Sequence, residues 1–237
     1  MNATALVAIH QPNFFPWLGY FDKIRRADAF VFLDHVQLQK TGGTWSNRVR
    51  VMMNGEPRWL TAPLERAYHG VRRIDEIRFN ETLPWRSKLL KTLGTNYRKA
   101  PHFSEALDLL EPQIAQRESG LATYNIRTVM TIANALGFDE KRFLRSSELS
   151  ITGHGTELLI AITQSAGCRT YMCGGGAAGY QDDRAFAAAG IGLAHQDFSQ
   201  PVYPQNGAKQ FVPGLSIIDA LMNCGVDGTR RLLCGGI

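Results

Sequence analysis

Apolar and polar positions change rhythm several times along the chain, and each change marks an element. Leu6-Val7-Ala8-Ile9 is an unbroken apolar run closed by His10, and Ala29-Phe30-Val31-Phe32-Leu33 is a second, closed by Asp34. Unbroken runs of this length predict strands buried on both faces, as in parallel sheets. Between them, Trp17, Phe21 and Ile24 recur at helical spacing, with Asn13 placed to cap the helix and Pro16 within its first turn. Gly19 allows that helix a close approach to a neighbouring backbone. Strand, helix and strand over about thirty residues make a βαβ unit.

The rhythm then shifts to alternation. Val49–Met53 and Arg58–Thr61 flank Asn54-Gly55, which predicts a hairpin with a type I′ turn. Ile74–Phe79 reads as a further strand. From Thr82 to Gly137 the period is helical. One helix starts at Pro84 with Trp85, Leu89, Leu93 and Tyr97 on one side. A second starts near Ser104 and should break or kink at Pro112. A third runs from Leu121 to Leu136 and is closed by Gly137. Short strands and helices return afterwards: Arg142–Leu144, a helix capped by Thr156, Thr170–Met172, a helix over Asp182–Ala189, Gly192–Ala194, and a helix near Ser216–Met222.

This order predicts a single α/β domain over residues 1–237. Its sheet is mostly parallel and Rossmann-like. A β-hairpin follows strand 2, and residues 82–137 form a helical insertion or lid. Five strands end in polar or glycine tips, at His10, Asp34, Ser146, Gly174 and His195. In an open parallel sheet such tips share the edge where ligands bind.

Composition narrows the function classes. No apolar run is long enough to span a membrane, and no secretory leader is seen, so a cytoplasmic protein is expected. The four cysteines show no Cys-x-x-Cys pair, which fits reduced thiols better than a disulfide framework or a metal site. Residues 1–100 carry 16 Lys/Arg against 8 Asp/Glu, whereas residues 101–237 carry 10 against 13. The basic first part suits an anionic partner such as a phosphate, a nucleotide or RNA, or is simply a solvated basic face.

At the strand tips, His10 suits a general base or an electrostatic stabiliser, and otherwise a histidine that hydrogen-bonds its own turn. Asp34 would orient His10 or hold an amine, unless it caps a turn. Gln11, Asn13, Gln37, His195 and Asp197 are candidate substrate contacts, as are Trp17 and Tyr20 if they are not core. Asn47 and Arg48 form a candidate anion clamp, because a guanidinium matches phosphate or carboxylate. Gly174-Gly175-Gly176 suits phosphate binding by backbone amides or, equally, a tight turn. No metal is expected, since adjacent strand residues such as Asp34 and His35 face opposite ways. Cys173 is the one cysteine at a strand-to-helix junction, and its replacement should be tolerated.

His10-Gln11-Pro12-Asn13, Pro16-Trp17-Leu18-Gly19-Tyr20, Leu33-Asp34, Val36-Gln37 and Trp45 with Asn47-Arg48 resemble the WbqC-like family. So do Tyr180, Gln196-Asp197-Phe198, Pro201, Tyr203-Pro204-Gln205, Leu215–Asp219, Asn223 and Gly225. The resemblance implies a transferase of bacterial polysaccharide or O-antigen biosynthesis. It would move an aminoacyl, glycyl-type group from a phosphate-bearing donor, a nucleotide or an aminoacyl-tRNA, to an amine or amino-sugar acceptor. Two alternatives stand beside it: a nucleotidyltransferase-like enzyme using a nucleoside triphosphate, and a non-catalytic protein that binds a nucleotide-sugar or RNA.

Overall fold

The two unbroken apolar runs become adjacent central strands. The structure, a computed structural model, describes residues 5–38, 45–67, 70–174 and 181–235. The chain forms two compact units, each assembled from separated stretches. The first comprises Met1–Gln11, Asp22–His35 and Glu140–Ser199; the second comprises Pro12–Phe21, Val36–Asp139 and Gln200–Ile237.

The first unit holds a five-stranded sheet. Its strands are β1 (Leu6–His10), β2 (Ala29–Phe32), β5 (Arg142–Arg145), β6 (Thr170–Cys173) and β7 (Gly192–His195), in the order β5-β2-β1-β6-β7. Every pairing in it is parallel. Counting only these strands by chain order gives 3-2-1-4-5, the doubly wound arrangement, whose direction of winding reverses between β1 and β6. Burial follows position. All four residues of β2 and the middle of β1 are buried, while the edge strands β5 and β7 are largely half-exposed. Helices α5 (Gly155–Ser165) and α6 (Asp183–Ala188) lie between the later strands. Asp182 caps α6 through the backbone amides of Arg184 and Ala185. Helix α5 begins one residue before Thr156, whose hydroxyl instead accepts the Asp182 amide at 3.1 Å.

The second unit is helical around one hairpin, β3 (Arg48–Met53) and β4 (Glu56–Thr61). Asn54 and Gly55 turn it with φ of 54° and 79°, the left-handed pair that a type I′ turn requires. Helices α2 (Trp85–Tyr97), α3 (Phe103–Ala115), α4 (Leu121–Ala135) and α7 (Ile217–Cys234) complete it. The expected stripe of α2, Trp85, Leu89, Leu93 and Tyr97, is buried as a set. A fully buried carboxylate, Asp219, ties the unit together. It accepts the hydroxyls of Tyr97 at 2.7 Å and Tyr203 at 2.9 Å, and the Tyr97 hydroxyl in turn accepts the Met52 amide. Burial pushes the Asp219 carboxyl up, and the two phenols partly counter it.

Several local expectations are corrected. Helix α1 (Leu18–Arg26) starts five residues after Asn13, so Asn13 does not cap it. Residues 12–17 are instead held as a turn with Phe15 at φ 42°. Buried Asn125 donates to the carbonyls of Pro12 and Ser46, and Ser216 donates to that of Phe15. The nearest neighbour of Gly19 is the Trp17 ring, which a Cβ at Gly19 would strike. Ile74–Phe79 is not a strand but a single 3₁₀ turn, Ile74–Glu76, flanked by isolated bridges. Glu76 folds back to accept the Arg73 amide at 2.9 Å, which stops the extended run. Pro112 does not break α3. It lies on an exposed side, so the carbonyl it leaves unpaired at Asp108 meets water, while Ala106, Leu110 and Ile114 stay packed. Helix α7 runs far beyond Met222. It kinks at Gly225 (φ 67°, ψ −177°), where Glu105 accepts the Val226 amide at 2.9 Å and restarts it.

Candidate functional site

Because the sheet is wholly parallel, its polar tips emerge at one edge. His10 ends β1, Asp34 follows β2, Ser146 follows β5, Gly174 follows β6 and His195 ends β7. The reversal of winding falls between β1 and β6, and that is where an open α/β sheet offers a ligand crevice. His10 and Gly174 therefore stand on its two sides.

The His10 ring is half-buried, and its Nδ1 lies 3.1 Å from the Gln11 carbonyl oxygen. Only a protonated Nδ1 can donate there, so the neutral ring keeps its lone pair on Nε2. Burial pushes the His10 pKa down to about 4, helped by the charge of Lys23 and opposed by the Gln11 carbonyl. The imidazole is thus neutral at physiological pH, with the charged form disfavoured by its surroundings.

Lys23 is the residue that sequence reasoning missed. It lies on the buried half of α1 at 8% exposure. Among the described residues no carboxylate pairs with it; neighbouring Asp22 is taken by Arg25 and Arg26. Burial lowers the ammonium's pKa, and nearby Cys173 acts the other way. Its Nζ lies 3.1 Å from where a Cβ on Gly174 would be. Glycine there lets the ammonium sit against the backbone at the start of the glycine run. The signal was legible in principle: Lys23 falls three residues after Tyr20 and four before Ala27, both buried, so it shares their face of α1.

Asp34 is 1% exposed, and its bonds run to the β5 tip. It accepts the Ser147 amide at 2.9 Å and the hydroxyls of Ser146 at 3.1 Å and Ser147 at 2.8 Å, with Arg145 at 3.7 Å. His35 Nδ1 meets the same Ser146 hydroxyl at 2.6 Å. Asp34 therefore knits the tips of β2 and β5. His195 is exposed, with Nδ1 3.3 Å from the Cys173 sulfur. Asp197 is exposed too, at φ 42°. Between them, Gln196 is buried and donates to Asp22 at 3.2 Å, while its carbonyl accepts Arg26. Gly175 and Gly176 lie outside the described residues.

Cys173 is buried, its thiol also donates to the Ala194 carbonyl at 3.5 Å, and burial pushes its pKa up. That environment disfavours the thiolate a nucleophile needs. Cys173→Ala should keep activity within about twofold of wild type. A loss beyond tenfold in a steady-state assay would bring a covalent thioester into the reaction.

The other expected site residues belong to the second unit. Tyr20 is fully buried and bonded by the Asn13 backbone, and Asn13 itself is 5% exposed. Trp17 is half-buried and bridges to Ser216. Gln37 is exposed and bridges to Arg73. Asn47 is buried and donates to the Ala62 carbonyl at 2.8 Å. The Arg48 guanidinium lies 3.9 Å from the centre of the Trp59 ring.

A doubly wound parallel sheet with its polar strand tips along one edge defines an α/β protein. The profile of the WbqC-like protein family matches residues 11–231, and the chain belongs to that family. Membership is in keeping with a biosynthetic enzyme. An uncharacterized protein of Mycobacterium tuberculosis, Rv1507c, is 31% identical over 227 residues, spanning 95% of this chain and 96% of that one. No solved structure matches the chain. Among the described residues, no helix is long and apolar enough to cross a membrane.

Proposed function

We propose that the protein is a transferase that moves an aminoacyl group from a phosphate-bearing donor to an amine acceptor. One observation carries the reading: a neutral His10 stands beside the buried ammonium of Lys23 and the glycine that follows β6. A buried ammonium that no carboxylate pairs with among the described residues suits a bound anion. Lys23 and the backbone at Gly174 take the donor phosphate. The acceptor amine attacks the acyl carbon, forming the C–N bond. The C–O bond to the leaving group, the phosphate of an adenylate or the ribose oxygen of a tRNA, breaks and takes its electron pair. His10 Nε2 takes the proton lost by the amine. Asp34 acts as a positioning residue that fixes the rim through Ser146 and Ser147. The glycyl-type acyl group and the amino-sugar acceptor come from the family resemblance.

The test supplies glycyl-adenylate, a mixed anhydride, together with glucosamine. The expected products are N-glycylglucosamine and AMP, detected by mass spectrometry. Glycyl-tRNA in place of the adenylate tells the two donor classes apart. Pyrophosphate release from ATP or CTP without glycyl transfer would replace the reading with nucleotidyl transfer. RNA binding that weakens steeply with salt, without turnover of either donor, would replace it with a binding role.

A further inference from the structure

The second unit contains a cleft of about 360 Å³ between β4 and the first turns of α2, in the size range of small-ligand sites. Its walls carry Phe14, Trp59, Thr61, Trp85, Lys88 and Thr92. Three features set it apart from an ordinary surface groove. Trp59 is 41% exposed, yet its indole is held in place by the Arg48 guanidinium on its ring and by Trp45 at 5.0 Å and 62°. Trp85 is 6% exposed, and its indole N–H is buried without an acceptor. The lining, among the described residues, contains no carboxylate and no carboxamide.

Those features select a ligand class. A rigid exposed indole is a stacking platform for a flat ring. The exposed Lys88 ammonium is a donor with no acceptor role. A neutral sugar presents hydroxyls that need acceptors as well as donors, and among the described side chains of the cleft acceptors stand only at Thr61 and Thr92. A nucleobase is a flat ring that suits the Trp59 face, and its phosphate is an anion that suits Lys88, the charged side chain of an otherwise mostly apolar lining. The volume suits one nucleotide, not a long dinucleotide cofactor. We infer that the cleft between β4 and α2 binds a nucleoside monophosphate moiety, with the base against Trp59 and the phosphate toward Lys88. The inference stands apart from the sheet-edge reaction, since none of its residues takes part there.

Isothermal titration calorimetry of the whole protein tests it with AMP, GMP, CMP and UMP, and with ribose 5-phosphate and N-acetylglucosamine as controls. At least one nucleotide should bind saturably. Trp59→Ala and Lys88→Ala should each weaken that binding by about tenfold or more. Both side chains are exposed, so the variants should fold, and circular dichroism checks this. Lys23→Met should leave this binding intact, which separates the cleft from the sheet edge. Several outcomes overturn the inference. Equal binding of ribose 5-phosphate would show a simple anion site. Binding of N-acetylglucosamine but no nucleotide would show a sugar site. Binding of RNA oligomers alone would show a strand-binding surface. Retention of nucleotide binding by both variants would place it elsewhere.

Discussion

His10→Ala should fold like the parent protein and transfer the acyl group at least about a hundredfold more slowly, the usual contribution of a general base. The loss should fall on kcat more than on KM, because the imidazole acts on a proton in flight and not on the donor phosphate. The pH profile carries a second signature. With its pKa near 4, His10 stays neutral from about pH 5 upward, so the rate should show no fall around the ordinary histidine value of 6.5. Stability shifts in the same window. Between about pH 6.5 and 4 the unfolded chain takes up a proton that folded His10 refuses. Stability therefore falls as the pH drops through that range, and His10→Ala should remove this part of the fall. A kcat within a few-fold of wild type would remove His10 from the chemistry.

Lys23→Met should produce two opposed effects. Phosphate binding at the sheet edge, measured with inorganic pyrophosphate as the probe, should weaken by about 10- to 100-fold, the worth of a charge-assisted hydrogen bond. The unliganded protein should gain about 1 kcal/mol, or about 2–4 °C in melting temperature. Methionine keeps the buried stem and removes a desolvated ammonium that has no carboxylate partner among the described residues. A residue kept for packing alone would lower the melting temperature when changed and leave pyrophosphate binding untouched. Opposed signs mark a group retained for binding at the expense of stability.

Much of this site can be read from local pattern, because local pattern decides strands. The runs ending in His10 and Asp34 are short and apolar at every position, which is typical of buried parallel strands. Asn54-Gly55 fixes its hairpin for the same kind of reason: few other pairs adopt two left-handed residues in succession. What stays hidden is long-range. Asp34 finds its partners in Ser146 and Ser147, more than a hundred residues away, and Asn125 reaches back to the turn at Pro12. No spacing rule joins such positions. Helix α7 is obscured by Gly225, which ends the periodic pattern although Glu105 rebuilds the helix behind it. Lys23 is hidden for a different reason. Hydrophobic patterning assigns every lysine to the surface, so a lysine on a buried face looks like an interruption and not a site.

The most direct measurement follows the His10 imidazole by NMR across pH, in the parent protein and in Lys23→Met, with and without inorganic pyrophosphate. The His10 signal should titrate near pH 4 in the parent, move upward when Lys23 loses its charge, and move upward again when pyrophosphate binds the parent. A His10 that titrates near 6.5 and ignores both changes would contradict the pairing of a neutral base with an anion-binding ammonium on which the whole account stands.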